Sequence, residues 1–347
     1  MRLTLLSRVF PLAIASALLA ACGGDGGSGP QTGTLKLGIT DAPVDHAEDI
    51  VVVFSGVELK PKGGPAFSID FKDPQNPSQA AVKDIHLLDY QSGTRAILLD
   101  NETVPAGEYE WMRLKVNAEP NVVDSYIVLE VGGGQCELRI PSGAETGLKM
   151  IRGFTVAAGA VTDFTIDFDL RKSIVQPPGQ QTGEMTCDGQ AYLLKPVLRV
   201  VDNLQVGMIN GVVDLGLVTD ACVTDPTKAG KVYLFGPYAE TDAVPVGVPD
   251  DVDGDPEGEV VEDGRDPLAS AIVDPATRAY AFGFVEAGKK YVLAYTCDED
   301  ASDVDADATD TPAGADEVVE FTPETGTEPV MVTVGGTTTV NFSLPTP

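Results

Sequence analysis

Apolar and polar residues alternate along much of this chain, and one alternating pattern occurs four times. A Val-x-x-Gly frame begins at Val104, Val156, Val285 and Val332, and apolar residues follow at the fifth, seventh and ninth positions after each glycine. A period of two is typical of a strand that buries one face, and glycine permits the positive φ that a tight turn can require. Each frame therefore predicts a turn that leads into a half-buried strand.

The rest of the chain also divides into short runs of β-type residues. These predicted strands lie at 34–40, 50–59, 66–71, 95–99, 125–131, 192–201, 206–213, 231–236 and 279–284. The chain has 37 Gly and 25 Pro, which separate the runs, and only one short helix or turn is predicted, at 43–49. The pattern predicts an all-β protein of two consecutive antiparallel β-sandwich domains.

Charge is distributed unevenly along the 347 residues. The net charge is −30, and the part from Leu204 onward has 28 acidic and 6 basic residues, a net charge of −22. This asymmetry favours a boundary between a domain at 34–203 and an acidic domain at 204–347. A surface this acidic repels nucleic acid and anionic lipid headgroups, so we expect no nucleic-acid partner and no membrane binding through a basic patch.

The first residues indicate where the protein is located. An apolar run follows two arginines and ends in the letters LAAC at 19–22, which resembles the lipobox of a bacterial lipoprotein. The run is shorter than the roughly 20 residues of a membrane-spanning helix, so it predicts a cleaved signal peptide at 1–21. The resemblance implies a lipidated Cys22, a flexible linker at 22–33 and, because Gly23 follows the cysteine, the outer membrane, facing the periplasm or the cell surface.

Four further cysteines can pair in three ways. An exported chain enters an oxidising compartment, and a boundary near residue 203 places one pair in each half. We therefore predict the disulfides Cys136–Cys187 and Cys222–Cys297. A zinc site is the competing interpretation, but none of the four cysteines forms a CxxC motif and the two histidines are distant in sequence.

The first domain resembles a known family, the bacterial lipoprotein domain of unknown function 4382, from about residue 33 to residue 203. The stretches that carry the resemblance are GTLKLGITDAP at 33–43, PAGEYEWMRL at 105–114, IPSGAETGL at 140–148, IDFDLRKS at 166–173 and LKPVLRVVD at 194–202. The family has no established activity. The resemblance therefore implies a domain and a location, and no catalytic residue can be carried over.

The remainder of the chain is similar to carboxypeptidase regulatory-like modules, which are transthyretin-like sandwiches and are not catalytic. INGVV at 209–213 corresponds to their opening strand, 280–293 to their central hairpin and 332–342 to their last strands. The resemblance implies that both domains have immunoglobulin- or transthyretin-like sandwich folds. Acidic insertions at 250–266 and 298–320 depart from the pattern of these modules.

Carboxylates at alternate positions of a glycine-containing loop are typical of calcium sites. Such a loop starts after residue 250, and its predicted calcium ligands are Asp251, Asp253, Asp255, Glu257 and Glu262. The spacing from first to last equals that of an EF-hand loop, but proline occupies the sixth position, where that loop needs glycine. A solvated acidic loop is the alternative, and the same two interpretations apply to a second alternation of aspartates at 303–307.

The strand after the first Val-x-x-Gly frame offers candidate ligand-binding residues. Tyr109, Trp111 and Arg113 alternate with apolar residues that face the core, so we predict that they point outward. Aromatic rings beside hydrogen-bond donors can form a glycan platform. The alternatives are a loop that covers this face, or pairing of its cations with acidic residues of a neighbouring strand, at 163, 167 and 169.

Hydrolytic machinery is scarce in the sequence. There is no Gly-x-Ser-x-Gly motif, and His46 and His86 are the only histidines available to activate a serine or cysteine. We predict a lipid-anchored, non-catalytic binding or structural module of the cell envelope, attached to the membrane through Cys22, with calcium as its one candidate cofactor and a glycan or an envelope protein as partner. The alternatives are a glycan-binding lipoprotein and an extracytoplasmic glycosidase.

Overall fold

The computed structural model of the protein describes residues 31–41, 47–129, 134–140, 147–175, 191–195, 197–221, 229–238, 267–296 and 329–343. Its strands are β1 (Thr32–Asp41), β2 (Ala47–Pro61), β3 (Phe67–Asp70), β4 (Lys83–His86), β5 (Ala96–Pro105), β6 (Gly107–Asn117), β7 (Tyr126–Leu129), β8 (Gln135–Arg139), β9 (Leu148–Met150), β10 (Phe154–Val156), β11 (Val161–Phe168), β12 (Ile174–Val175), β13 (Tyr192–Leu194), β14 (Leu198–Asp202), β15 (Val206–Val212), β16 (Lys231–Tyr238), β17 (Ala269–Ile272), β18 (Ala279–Glu286), β19 (Lys290–Thr296), β20 (Val330–Met331) and β21 (Thr337–Thr339). Two short α-helices, α1 (Leu170–Ser173) and α2 (Leu215–Ala221), and 3₁₀ turns at Leu87–Asp89 and Asn203–Gln205 complete the described structure. None of the helices described is long and apolar enough to cross a membrane.

The first sandwich, β1 to β14, packs a small sheet against a large one. The small sheet has the strand order β14-β11-β1-β5. The large sheet has the order β10-β6-β2-β7-β8-β13-β12, with β3 and β4 pairing with β2 and β9 pairing with β6. One cluster of buried apolar side chains, contributed by both sheets, fills the space between them.

The second sandwich, β15 to β21, is smaller but built on the same plan. Its two sheets have the orders β18-β15-β21 and β17-β16-β19-β20. A second cluster of buried apolar and tyrosine side chains forms its own core. The all-β sandwich architecture predicted from the sequence is therefore confirmed.

All four Val-x-x-Gly frames form a turn that carries the chain from one sheet of a sandwich to the other. The four valines are each 1 % exposed. The glycines have positive φ values of 145° at Gly107, 69° at Gly159, 74° at Gly288 and 64° at Gly335, which favour glycine over other residues. The frame thus combines a buried anchor with a residue that can adopt the backbone conformation of the corner.

The first strand of each sandwich begins against one of these corners, in closely matching geometry. A Cβ atom on Gly33 of β1 would lie 2.4 Å from the carbonyl oxygen of Ala157, and one on Gly207 of β15 would lie 2.4 Å from that of Thr333. Such distances are far below van der Waals contact, so neither strand can carry a side chain here without moving the corner. The two sandwiches are therefore related at the level of individual backbone contacts.

A second pair of matching contacts involves the residue that lies two positions before each of these glycines. The amide of Ala106 donates to the carbonyl of Gln31 at 2.8 Å, and the amide of Ala287 donates to the carbonyl of Gln205 at 2.8 Å. Each bond joins the residues just before a first strand to a Val-x-x-Gly corner. The repeated frame in the sequence thus marks a repeated structural unit.

Three details differ from the sequence predictions. The sandwiches are not purely antiparallel: β1 pairs with β11, β8 with β13 and β15 with β21 in parallel. Both β11 and β21 enter their sheets from a corner that starts in the opposite sheet, so neither is a hairpin partner of the first strand. The single strand predicted at 192–201 is divided into β13 and β14, and residues 47–49 of the predicted helix or turn belong to β2.

Candidate binding face and the joint between the sandwiches

The outer surface of the large sheet carries an aromatic ring next to cations. Trp111 is half-buried on β6. The Lys149 Nζ on β9 lies 4.5 Å from the centroid of its ring, and the Arg113 Cζ lies 5.0 Å from it. Lys60 on β2 is the cross-strand neighbour of Trp111. We define the Trp111 face as these four residues together with Lys115, the next outward residue of β6.

Carboxylates of neighbouring strands bind two of these cations. The Nη1 of Arg113 donates to Glu58 Oε2 at 2.9 Å, and the Nζ of Lys115 donates to Asp70 Oδ1 at 2.6 Å. Both acids lie on β2 or its neighbour β3 in the large sheet. The alternative that pairs these cations with the acidic residues of β11 is wrong, because β11 lies in the small sheet, on the other side of the core.

Tyr109, which was predicted to accompany Trp111 on the outer face, instead lies in the core. It is 3 % exposed, its ring stacks on Phe154 with centroids 4.8 Å apart, and its hydroxyl donates to the carbonyl of Pro105 at 2.7 Å. The pairing of β6 with β2 skips Glu110. This β-bulge adds one residue and so moves Tyr109 to the opposite face from the one that simple alternation predicts.

A polar network closes the outer face of the small sheet. The two Nη atoms of Arg95 donate to Asp163 at 2.7 and 3.0 Å, and Nη1 also donates to Thr165 Oγ1 at 3.0 Å. Thr165 donates to Asn203 Oδ1 at 2.9 Å, and Asn203 donates to Asp163 Oδ1 at 2.8 Å. The network joins β11 and the residue that precedes β5 to the segment between the sandwiches.

The electrostatics of this network favour an ionised carboxylate at Asp163. Burial pushes its pKa upward, but hydrogen bonds from Arg95 and Asn203 together outweigh burial, and the pKa of Asp163 lies below its ordinary value. Both members of the Arg95–Asp163 pair are only about one-fifth exposed, at 20 % and 22 % of their side chains. The pair is therefore a structural ion pair with little screening by water.

Two glycines meet where the sandwiches touch. A Cβ atom on Gly283 of β18 would lie 2.0 Å from the Cα of Gly93, and one on Gly93 would lie 2.9 Å from the Met208 Cε. β18 is irregular at this point, because its register with β15 shifts and Phe284 has a φ of 54°. The absence of side chains on both glycines lets a turn of the first sandwich contact the backbone of the second.

A small cleft of about 30 Å³ lies beside this contact, enough for about two water molecules. Its lining includes Thr40, Asp167, Arg199, Ser270 and Phe282. Arg199 donates to Asp167 Oδ2 through Nη2 at 2.5 Å and through Nε at 3.1 Å. The Thr40 hydroxyl lies 2.7 Å from the carbonyl oxygen of Tyr90 and 2.8 Å from that of Thr94, and it donates its one proton to one of them at a time. The polar groups on the first sandwich's side of the cleft thus bond to one another or to the backbone, and they face apolar residues such as Phe282 of the second sandwich.

Several predicted site residues lie outside the described residues. They are the lipidation site Cys22, the calcium ligands Asp251, Asp253, Asp255, Glu257 and Glu262, and the cysteines Cys187, Cys222 and Cys297. Cys136 is 1 % exposed on β8. Its pairing with Cys187, and the second disulfide, stay predictions.

The sequence analysis missed Lys149, Arg95 and Asn203. Lys149 stands between two apolar residues of a short strand, and this alternation is a signal that its side chain faces outward. Its approach to Trp111 depends on the pairing of β9 with β6, which the pattern of a single strand does not reveal. The same holds for Arg95, whose partners are 68 or more residues away along the chain.

The fold and these surfaces define an all-β protein of two joined sandwiches. The model of a protein family described as a domain of unknown function (DUF4382) matches residues 32–196. This range covers the first sandwich up to β13, and it supports the resemblance found in the sequence. No curated protein matches the chain.

Three solved structures are similar to the chain at low identity. The Bacillus anthracis TIE protein is 8 % identical, with 91 % of this chain and 35 % of that chain covered and a TM-score of 0.18. A leucine-rich repeat protein from Bacteroides thetaiotaomicron is 8 % identical, with 90 % and 26 % covered and a TM-score of 0.20. GBS52, the minor pilin of Streptococcus agalactiae, is 11 % identical, with 90 % and 97 % covered and a TM-score of 0.19. The chain therefore spans about a third and a quarter of the length of the first two proteins.

Proposed function

We propose that this protein is a lipid-anchored module of the bacterial cell envelope that has a structural or binding role and catalyses no reaction. The observation that carries the proposal is the use of charged side chains to hold strands of the first sandwich together. Arg95 binds Asp163, Arg113 binds Glu58, and Arg199 binds Asp167 at the joint. Carboxylates held in this way join neighbouring strands, which suits a rigid module better than proton transfer to a substrate.

The location of the protein is part of the proposal. The LAAC sequence at 19–22 supports cleavage before Cys22 and lipidation of its thiol. Attachment of two or three acyl chains would hold the protein at the membrane, because a single chain binds only marginally. Gly23 supports sorting to the outer membrane. The disulfides Cys136–Cys187 and Cys222–Cys297 fit the oxidising compartment on the outer side of the inner membrane.

The finer assignments of the second half belong to the same proposal. A carboxypeptidase regulatory-like module at 204–347 is not catalytic, and its similarity to this region supports a role in which the second sandwich extends the first. Calcium bound at 251–262 would be structural, because gathered carboxylates require a cation to offset their repulsion.

Glycan binding is the second candidate function, and the position of Trp111 on an outer face favours it. Trp111 is half-buried on an outer face and keeps polar neighbours, although Tyr109 is lost from the platform. The glycosidase alternative keeps only its sequence argument, the abundance of carboxylates. Release of reducing sugar by the purified protein would favour it over a non-catalytic module.

Fractionation of cells that express the wild-type chain or Cys22→Ala tests the anchor. We expect the wild-type protein in the outer-membrane fraction, with a mature amino terminus whose mass includes diacylglycerol, and we expect Cys22→Ala to lack that mass. Ser28→Ala, in the same linker, is the matched control and should behave as wild type. An unmodified first residue in the mature wild-type protein would contradict the proposal.

A further inference from the structure

The first sandwich has an identifiable end at which the linker enters. Gln31 immediately precedes β1 and its carbonyl accepts the hydrogen bond from Ala106, which is followed by Gly107 at the start of β6. We call this end, defined by Gln31, Ala106 and Gly107, the tether end. Trp111 lies four residues along β6 from Gly107, which corresponds to about 13 Å at 3.3 Å per residue. The Trp111 face is therefore close to the tether end.

The linker restricts how far this end can move from a membrane. Nine residues, 23–31, separate Cys22 from the first residue of β1. At most 3.3–3.6 Å per residue, they span about 30 Å. If Cys22 is lipidated, as the proposed function states, the tether end stays within about 30 Å of the lipid headgroups.

The Trp111 face has a charge opposite to that of the whole protein. The chain carries a net charge of −30, whereas this face has the four cations Lys60, Arg113, Lys115 and Lys149, with Glu58, Asp70 and the exposed Glu110 as its neighbouring acids. Each lysine or arginine near an anionic membrane contributes about 1 kcal/mol of attraction. Tryptophan is enriched at the headgroup level of membranes because its ring is apolar and its N–H is polar. The composition of the face is complementary to anionic headgroups.

The second sandwich lies on the other side of the first. Its contacts in the described structure are with the small sheet and the adjoining turn, at Gly93, Asp167 and Arg199. The described strands of the second sandwich are thus placed away from the Trp111 face. An anionic surface at the Trp111 face would attract the cations of that face.

The net charge of the chain predicts no membrane binding through a basic patch, but this local cluster of cations points the other way. We propose that the Trp111 face is a membrane-contact surface, which lies against the anionic, phosphate-bearing headgroups of the membrane that holds Cys22. Lys149 and Arg113 already lie at cation–π distance from the ring, so a sugar that stacks on Trp111 would have to displace them. The contact fixes the orientation of the anchored protein and directs the second sandwich away from the bilayer.

Trp111 is the only tryptophan of the chain, so its fluorescence reports directly on this face. The full lipidated protein is reconstituted into vesicles of phosphatidylcholine alone or of phosphatidylcholine with phosphatidylglycerol. With phosphatidylglycerol we expect a blue-shifted emission and quenching by acrylamide that is weaker by about twofold or more, and we expect high salt to reduce both effects. Flotation of the same vesicles measures anchoring separately.

Variants identify the residues that make the contact. Lys60→Gln combined with Lys149→Gln should remove most of the protection of Trp111 without changing flotation. Lys36→Gln is the matched control, because Lys36 faces outward on the small sheet. Loss of protection in this control, equal to that in the double variant, would contradict a contact through the Trp111 face.

The outcomes separate this inference from the proposed function. Flotation with identical quenching in both kinds of vesicle overturns the membrane contact and leaves the anchor standing. A chain that floats with neither vesicle overturns both. A change of emission caused by a soluble polyuronate, with none caused by phosphatidylglycerol, overturns the membrane contact and assigns the face to an acidic glycan.

Discussion

Both sandwiches contain Val-x-x-Gly corners, but different interactions stabilise each of them. In the first, guanidinium–carboxylate pairs such as Arg95–Asp163 join strands across an outer face. In the second, tyrosine hydroxyls in the core donate to backbone carbonyls, from Tyr280 to Val340 at 2.6 Å and from Tyr295 to Ala229 at 3.0 Å. The corner therefore sets the path of the chain, and the remaining interactions are free to differ.

This difference determines how each sandwich responds to its surroundings. Burial raises the pKa of Tyr295 to about 12 and raises the pKa values of Tyr280 and Tyr291 as well. These hydroxyls stay protonated over the ordinary pH range, so the second sandwich gains nothing from charge at these positions. The first sandwich depends on ionised side chains and should be the more sensitive of the two to acid.

Substitution of the first-strand glycines should have the largest effect and should show that the corners are equivalent. Gly33→Ala and Gly207→Ala each place a Cβ atom 2.4 Å from a backbone oxygen and 2.6 Å from a valine methyl. We expect each to destabilise its own sandwich by about 3 kcal/mol, as overpacking does. Hydrogen exchange followed by mass spectrometry on the full chain measures the loss of protection in each sandwich.

The control for this pair is Gly64→Ala, whose Cβ atom would lie 3.5 Å from its nearest neighbour, at an ordinary contact distance. It should leave the exchange of both sandwiches unchanged. If Gly207→Ala is tolerated while Gly33→Ala is not, the two corners are not equivalent, and the repeat does not extend to the packing of the first strand against the corner.

Calcium should affect the second sandwich alone. If the carboxylates at 251–262 bind it, a hundredfold excess over the dissociation constant stabilises the folded protein by about 2.7 kcal/mol. We expect slower hydrogen exchange at 267–296 in calcium than in chelator, and no change in the first sandwich. Asp253→Asn with Asp255→Asn should abolish the effect, with magnesium as the control ion. Equal exchange in calcium and chelator would refute the site.

Strand positions could be predicted from the sequence because they depend on local alternation. The Val-x-x-Gly frames located four corners, and the buried residues that follow them, such as Met112 and Ile166, lie where a period of two places them. Strand partners depend on residues far apart in the chain. The parallel pairing of β1 with β11 arises from a change of sheet, which leaves no signal in either strand.

The candidate site was predicted only in part, for the same reason. Trp111 and Arg113 face outward as the alternation predicts, whereas the bulge at Glu110 turns Tyr109 inward. A bulge is defined by the pairing with a second strand, so the sequence of β6 alone gives little sign of it. The contact of Gly93 with Gly283 joins the two sandwiches, and a local sequence pattern cannot predict it either.

Acid should destabilise the first sandwich more than the second, and this effect should be smaller than that of the glycine substitutions. The pKa of Asp163 is lowered in the folded protein, so its contribution to stability is present above the ordinary value of 3.8 and is lost as the pH falls through the lower folded value. At neutral pH we expect Asp163→Asn to cost about 2 kcal/mol, typical of hydrogen bonds to a charged group. Urea unfolding followed by Trp111 fluorescence measures this in the first sandwich.

The matched control is Asp100→Asn, whose carboxylate is 72 % exposed and lies 4.0 Å from Lys36. This variant should change stability by less than about 0.5 kcal/mol, as exposed pairs do. The difference between wild type and Asp163→Asn should shrink as the pH falls below 3.8. A difference that does not depend on pH would mean that Asp163 acts through packing and not through its charge.

The smallest effect should come from the tyrosine that closes the first corner of each sandwich. Tyr109 donates to the carbonyl of Pro105 at 2.7 Å, and Tyr291 donates to that of Glu286 at 2.9 Å; each acceptor directly follows the valine of a Val-x-x-Gly frame. Tyr109→Phe and Tyr291→Phe should each cost about 1 kcal/mol, because each removes one hydrogen bond and little volume. Similar losses in the two sandwiches, measured by hydrogen exchange, would extend the repeat from the backbone to a side chain. A loss of stability confined to Tyr291→Phe would mean that the first corner, which has the bulge at Glu110, does not need the Tyr109 hydroxyl for its stability.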